Sequence, residues 1–302
     1  MELIKPSTNI DFVGKMKPAF TISLIMIVIS LASVVLHGGL NLGIDFAGGA
    51  LVQIKFQKET TTESLRSALS QIKLENSIIQ KLGSQEVVIR TAESASDLKG
   101  LSYRIEDALS TAFGKGSSEV RRVEVVGPKV GRDLTNKAIM AIIFSWIGML
   151  IYIAWRFEFR YAVGGIIALI HDVIITVGAL SLLNKEFTLT IIAALLTIVG
   201  YSINDTIVIY DRIRENVRKG AKKDLGEIMN VSINETLGRT ILTSLTVFTV
   251  LAVLFFLGGE VIHDFAFAML VGVISGVYST VYIASPLVLA WEHFRPSRIR
   301  KR

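Results

Sequence analysis

The sequence predicts a polytopic α-helical membrane protein with six transmembrane helices and one α+β extracytoplasmic domain between the first and second spans. Three observations lead there. Of the 302 residues, 51% are hydrophobic and only 19% charged, which is more apolar and less charged than a soluble chain of this length. Apolar runs of about 20 residues, enough to cross a hydrocarbon core of roughly 30 Å as helix, recur along the chain. The one long polar interval, 38–137, alternates between strand-like and helix-like patterns.

The first span runs from Ala19 to Leu36 behind Lys5, Lys15 and Lys17. A secretory signal peptide has the same outline, but the run is long and lacks an A-x-A cleavage site, so the helix is expected to stay as an anchor. The remaining spans are Ala138 to Trp155, Tyr161 to Leu183, Leu189 to Tyr210, Thr240 to Leu257 and Phe265 to Trp291, the last two joined by Gly258, Gly259 and Glu260. The chain thus divides into 1–37 (N-terminus and first span), 38–137 (the outside domain), 138–291 (five helices with a loop at 211–239) and 292–302 (a basic tail).

Orientation follows from Lys and Arg in the short connections, which stay on the cytoplasmic side. One side collects 17 of them, including Arg156, Arg160, the 212–239 loop, and the tail Arg295, Arg298, Arg300, Lys301 and Arg302; the opposite short loops carry only Lys185. Both termini are therefore expected in the cytoplasm, with the protein in the inner (cytoplasmic) membrane of the cell. The 212–239 loop is mainly a topology signal, with a surface amphipathic helix at Leu225 to Leu237 as a further reading.

The formal net charge of +6 is explained by these flanking residues. The outside segment, with 14 basic and 12 acidic residues, has no polybasic surface for nucleic acid. The absence of cysteine excludes disulfides, thiolate metal sites and cysteine nucleophiles, and four scattered histidines suggest no metal centre. No cofactor is implied and no catalytic residue is assigned.

Within 38–137, Leu51 to Phe56 reads as a strand, and Thr61, Thr62 and Glu63 open a helix through Ile72. Ile78 to Leu82 and Glu86 to Thr91 form a hairpin around Gly83 and Ser84; a helix from Ser96 to Phe113 and a strand from Glu119 to Val126 follow, before Gly127 and Pro128. The order β-α-β-β-α-β is the split βαβ or ferredoxin-like arrangement. No catalytic constellation is apparent there, so the domain reads as a binding or mechanical module.

Ionisable residues at membrane depth cost at least about 2.5–3.5 kcal/mol and mark function. In the fourth span Thr197, Tyr201, Asn204, Asp205 and Val208 recur at helical spacing as a polar stripe. Arg239 opens the fifth with Thr243 and Thr246 on its face, and the third carries His171 and Asp172. The sixth has a hydroxyl stripe of Ser275, Tyr278, Ser279, Tyr282 and Ser285, with Gly272 and Gly276 suited to close helix contact. A proton pathway needs a carboxylate, a cation that tunes it and relaying hydroxyls. Asp205 and Arg239, with Asn204, Tyr201, His171 and Asp172, are the candidates. Plainer readings stand beside this one: a static Asp205–Arg239 pair, an Arg239 that snorkels to the interface, a His171–Asp172 capping role, and a hydroxyl stripe that only packs.

Gly43, Ile44, Asp45, Phe46, Ala47, Gly48, Gly49 after the first span, Val126 to Gly131 before the second, and Gly200 to Thr206 running into Tyr210 to Asn216 are similar to the SecF branch of the SecD/SecF protein-export family. The resemblance covers nearly the whole chain. It implies half of a resistance-nodulation-division architecture that pairs with a SecD half on a separate polypeptide. It also implies work with the SecYEG channel, YajC and YidC on a translocating preprotein at the expense of the proton motive force. The family's fourth-span aspartate and fifth-span arginine, implicated in proton conduction, match Asp205 and Arg239. The Asp45, Phe46, Gly48, Gly49 signature is read as a joint between anchor and first strand. Three other classes are weighed: a non-conducting translocon scaffold, half of a small-molecule efflux pump, for which the domain is small and poor in aromatics, and an aspartyl protease, for which Asp172 and Asp205 are the only carboxylate pair.

Overall fold

A computed structural model describes residues 9–91, 98–219 and 224–294. Among these described residues are six helices long and apolar enough to span a membrane and one four-stranded antiparallel sheet, the fold class expected. The chain divides into two compact units, Leu42–Met140 and the remainder.

In the α/β unit, β1 (Gly49–Phe56) is central and pairs antiparallel with β3 (Glu86–Thr91) and β4 (Ser118–Val126), while β2 (Ile78–Leu82) pairs with β3. The order β2-β3-β1-β4 is that of the ferredoxin-like arrangement. Alternation decides the faces: Val52, Ile54 and Phe56 of β1 and Ile89 of β3 point to one side. There they meet Leu65 and Leu69 of a helix at Thr62–Ser70 and Leu101, Ile105 and Leu109 of a helix at Leu98–Phe113. In chain order these helices are α3 and α4. Thr61 caps α3, its hydroxyl accepting from the Ser64 N–H at 3.3 Å. The expected start of α4 at Ser96 lies outside the described residues.

The Gly43 to Gly49 signature forms a one-turn helix, α2 (Ile44–Ala47), wedged against β1 and β4. Gly48 leaves it at φ 73°, ψ 172°, a combination confined to glycine. A Cβ on Gly131 would lie 2.9 Å from the Phe46 carbonyl oxygen, so at this place backbone meets backbone in a tight clasp. We expect Gly131→Ala to destabilise the unit by about 1–3 kcal/mol, as overpacking does, read by hydrogen exchange at β1 and β4 in the full chain.

The other unit holds α1 (Met16–Leu36), most of α5 (Pro128–Arg156), α6 (Phe159–Leu182), α7 (Leu189–Lys219), α8 (Leu225–Leu257), α9 (Glu260–Ser279) and α10 (Ser285–Phe294). Three boundaries differ sharply from the sequence expectation, the first being α7, which continues past the expected Tyr210 to Lys219. α5 starts at Pro128, ten residues before the expected Ala138, because proline at the first helical position has its φ preset and needs no partner for its missing N–H. α8 is one helix, so the surface amphipathic helix expected at Leu225 to Leu237 is its first three turns. Their apolar face, Leu225, Met229 and Ile233, is buried in the core with Ile213 of α7 instead of lying on a membrane. Asp224 caps α8 by accepting from the Gly226 N–H at 3.1 Å.

The basic 211–239 loop is thus mostly helical. Arg212 pairs with Glu235 at 2.7 Å, and Asn216 donates to Ser232 at 3.0 Å and Glu235 at 2.7 Å. Lys222, Lys223, Lys5 and the tail basic residues from Arg295 onward lie outside the described residues. The turns before α1 are held by α8: Asn234 exchanges two hydrogen bonds with Ile10, at 2.8 and 2.9 Å, and Asn230 accepts from Phe12 N–H at 2.8 Å.

In the most apolar 18-residue stretch of each span, more than half of the residues are buried in α6, in α7 and in the final span, against 11% in α5, 17% in α8 and 22% in α1. The first three are therefore the inner helices. The final span is interrupted by a π-helical turn at Thr280–Ala284. Pro286, just beyond it, has no N–H for the Tyr282 carbonyl and its ring would strike that carbonyl, which a widened turn avoids. The Ser285 hydroxyl returns a bond to the Thr280 carbonyl at 3.0 Å.

Candidate functional site

α7 presents three chemically different faces. Toward α6 and α9 it turns Ser202 and Thr206, each about 1% exposed. Toward α8 it turns Asp205, 3% exposed, with Tyr201 half-buried beside it. Outward it shows Thr197, Gly200 and Asn204. The stripe read from the sequence is therefore split: Asp205 and Tyr201 share a neighbourhood on α8, and Asn204 does not.

That neighbourhood is centred on Ser244. Tyr201 donates to its hydroxyl at 3.0 Å, and the hydroxyl donates on to Asp205 Oδ2 at 3.5 Å. No other hydrogen bond reaches the Asp205 carboxylate among the described residues. A buried carboxylate with one long contact is poorly compensated for lost water, and such a group gains most from picking up a proton. Arg239 is exposed, and among the described residues its guanidinium forms no ion pair with Asp205 or any other side chain. The static buried pair weighed above is not the arrangement found.

Ser244 does not stand out in the sequence, where Arg239 draws attention to its own face with Thr243 and Thr246. The buried face of α8 is Ser232, Thr236, Thr240, Ser244, and its small hydroxyls at spacings of four are the signal that identifies it.

A second polar centre lies where α6, α7 and α9 meet. Asp172 is fully buried and accepts three hydroxyl bonds, from Ser202 at 2.7 Å, Ser275 at 2.7 Å and Ser279 at 2.8 Å. His171 Nδ1 lies 3.1 Å from Asp172 Oδ1. Thr206 and Thr280 join hydroxyls at 2.9 Å in the next layer, tying α7 to the π turn. Two of the five hydroxyls of the sixth-span stripe, Ser275 and Ser279, thus serve one carboxylate, while Tyr278 bonds the Ala19 carbonyl at 2.6 Å. Asp172 and Asp205 have separate hydroxyl partners and no hydrogen bond between them, unlike the facing carboxylates of an aspartyl protease.

A third buried contact, Arg160 with Glu292, joins the start of α6 to α10, with Glu158 at 2.9 Å on the same guanidinium. Sequence reading placed Arg160 only as a topology residue and missed its partner 132 positions away.

Comparison with known proteins gives these centres a family. Residues 105–293 match the model described as protein export membrane protein SecD/SecF, C-terminal, and residues 34–60 match the SecD/SecF GG motif. The latter spans the Gly43 to Gly49 clasp. The chain is 50% identical over 300 residues to the protein translocase subunit SecF of Calditerrivibrio nitroreducens, covering 98% of each. To that of Magnetococcus marinus it is 47% identical, covering 97% of this chain and 95% of the relative. It superposes with a TM-score of 0.88 and 36% identity on the crystal structure of SecDF, a translocon-associated membrane protein from Thermus thermophilus, over 96% of this chain. On SecDF in a super-membrane-facing form the TM-score is 0.72 at 37% identity over 99% of this chain. The chain spans 40% of each of those longer proteins. By full-length identity to SecF relatives, by both matched models and by its fold, this chain belongs to the SecD/SecF family of protein-export membrane proteins.

Proposed function

We propose that the chain is the SecF half of an accessory complex of the Sec translocase, an inner-membrane transport subunit and not an enzyme, that joins a SecD half and spends the proton motive force on late preprotein translocation. Its partners in this reading are SecD, the SecYEG channel with YajC and YidC, the emerging preprotein and surrounding lipid. Both termini and the Arg212 to Arg239 region face the cytoplasm, and the α/β domain at 38–137 lies outside.

The observation that carries the reading is Asp205: a carboxylate 3% exposed at membrane depth with one long hydrogen bond on a span of a translocase-family chain. Protonation removes the cost of a buried charge, so the two protonation states favour different packings of α7 against α8 and against the SecD half. A proton moves such an equilibrium only by its differential affinity for the two states. Repacking of the spans then moves the outside domain. Tyr201, Ser244 and Arg239 line the approach to Asp205, Asn204 faces the partner half, and His171 with Asp172 forms an inner station.

The test is completion of preprotein translocation in vesicles holding the channel, the motor ATPase and SecD, with and without this chain. A gradient-dependent phase that appears only when the chain is present supports the reading, and equal completion in both removes it. In the same assay Arg239→Ala is expected to slow the gradient-dependent phase about tenfold, equivalent to ~1.4 kcal/mol, while Arg239→Lys, which keeps the charge, slows it less.

A further inference from the structure

Asp172 is a fully buried carboxylate with no Lys or Arg against it among the described residues, a situation that proteins resolve by pairing or neutralising the charge. The groups around it are specific. From α7 comes Ser202; from α9 come Ser275 and Ser279; beside it on α6 is His171. Each serine donates to Asp172, which takes up acceptor capacity that only an ionised carboxylate offers in full. With Asp172 ionised, the hydrogen of His171 resides on Nδ1, donated to Oδ1, and the lone pair is left on Nε2. Nε2 is buried and has no hydrogen-bond partner among the described residues. It is an acceptor at membrane depth with nothing yet to accept.

From these positions we infer that His171 Nε2 is a second proton-binding atom of this half, with Asp172 as the fixed counter-charge and Ser202, Ser275 and Ser279 as the positioning residues that keep it ionised. A hydronium ion gives up a proton, its O–H bond breaking to leave water as the Nε2–H bond forms; the imidazole becomes imidazolium and the couple passes from a net charge of −1 to zero. Proton release reverses the step. Among the described residues, no competing ionisable group is hydrogen-bonded to the couple. α1 carries only Lys17, at its start; Tyr201 and Asp205 of α7 bond Ser244 of α8. On α9, Tyr278 stacks on the His171 ring at 6.3 Å with its hydroxyl bound to Ala19, and Asp264 pairs with Lys185 at 2.5 Å. Tyr282 of the π turn packs its ring at a tilt against those of Phe12 and Tyr278, and Glu292 of α10 pairs with Arg160. Ser279 is the last residue before the π turn, so a change of charge at the couple is felt where the final span is already irregular.

The inference deepens the proton-coupled reading and rests on it for its use, but its test does not. The chain contains four histidines, so ring-nitrogen NMR of histidine-labelled full chain with SecD in nanodiscs resolves them, and His171→Gln assigns the signal. The expected result is a neutral Nδ1–H tautomer at high pH that becomes imidazolium on acidification, retained in Asp205→Asn. Asp172→Asn removes the counter-charge and is expected to weaken proton binding at His171 at least about tenfold, the size of a neighbouring-charge effect. Ser202→Ala, which leaves the counter-charge in place, should move it by less. A His171 that stays neutral throughout, that carries its hydrogen on Nε2, or that titrates alike with and without Asp172 overturns the inference. Loss of gradient-dependent translocation in Asp205→Asn with the His171 titration intact separates this station from the Asp205 claim.

Discussion

Asp205→Asn is expected to abolish the gradient-dependent phase of translocation while leaving the ATP-driven phase intact. Asparagine keeps the shape of aspartate and can still accept from Ser244, so packing of α7 on α8 is preserved. What it loses is the ability to exist in two charge states. A two-state equilibrium driven from 1:99 to 99:1 needs roughly 5.5 kcal/mol of differential affinity, and a side chain that binds no proton supplies none of it. Equal membrane insertion and equal association with SecD must accompany the loss, since a fall in either would place the defect in assembly. Translocation by the variant at the wild-type rate would leave the chain with a scaffold role and Asp205 as a buried polar residue.

The second large effect is expected at Asp172. Asp172→Ala removes the common acceptor of Ser202, Ser275 and Ser279 and leaves three hydroxyls without that partner at a junction of three inner helices. Each buried unsatisfied group costs about 1–3 kcal/mol, and the emptied volume adds to it. A loss of about 3–5 kcal/mol in reversible unfolding in bicelles is expected. Asp172→Asn, which retains one carbonyl acceptor, should lose less. A loss below about 1 kcal/mol for the alanine variant would mean that the hydroxyls find other partners and that the junction is not organised by this carboxylate.

How much of this was legible in the sequence depended on whether the signal was local. The α/β unit was readable because its cues lie within a few residues of what they specify: Thr61 before α3, Gly83 between β2 and β3, alternation along β1. Hydropathy found all six spans but misplaced the ends of α5, α7 and α8, because their helices continue as polar or amphipathic turns that a lipid-based measure does not register. Asp205 stood out as a charge in an apolar run. Its immediate partner did not, since Ser244 lies 39 residues away on a helix whose buried face is set by packing. The Asp172 cluster was less legible still. Its donors lie 30, 103 and 107 positions along the chain, and only the three-dimensional meeting of α6, α7 and α9 turns separate serines into one site. The Asp45 to Gly49 signature was visible as residues, but its role as a backbone clasp depends on Gly131, more than 80 positions on.

The most direct measurement is difference infrared spectroscopy of the Asp205 carboxyl in vesicles with SecD, recorded with and without a proton gradient and assigned by isotope-labelled aspartate against Asp205→Asn. Proton coupling predicts that the carboxylate and carboxylic-acid bands of Asp205 exchange intensity when the gradient is applied, in step with movement of the outside domain. One unchanging protonation state across both conditions, with the domain still moving, would contradict it.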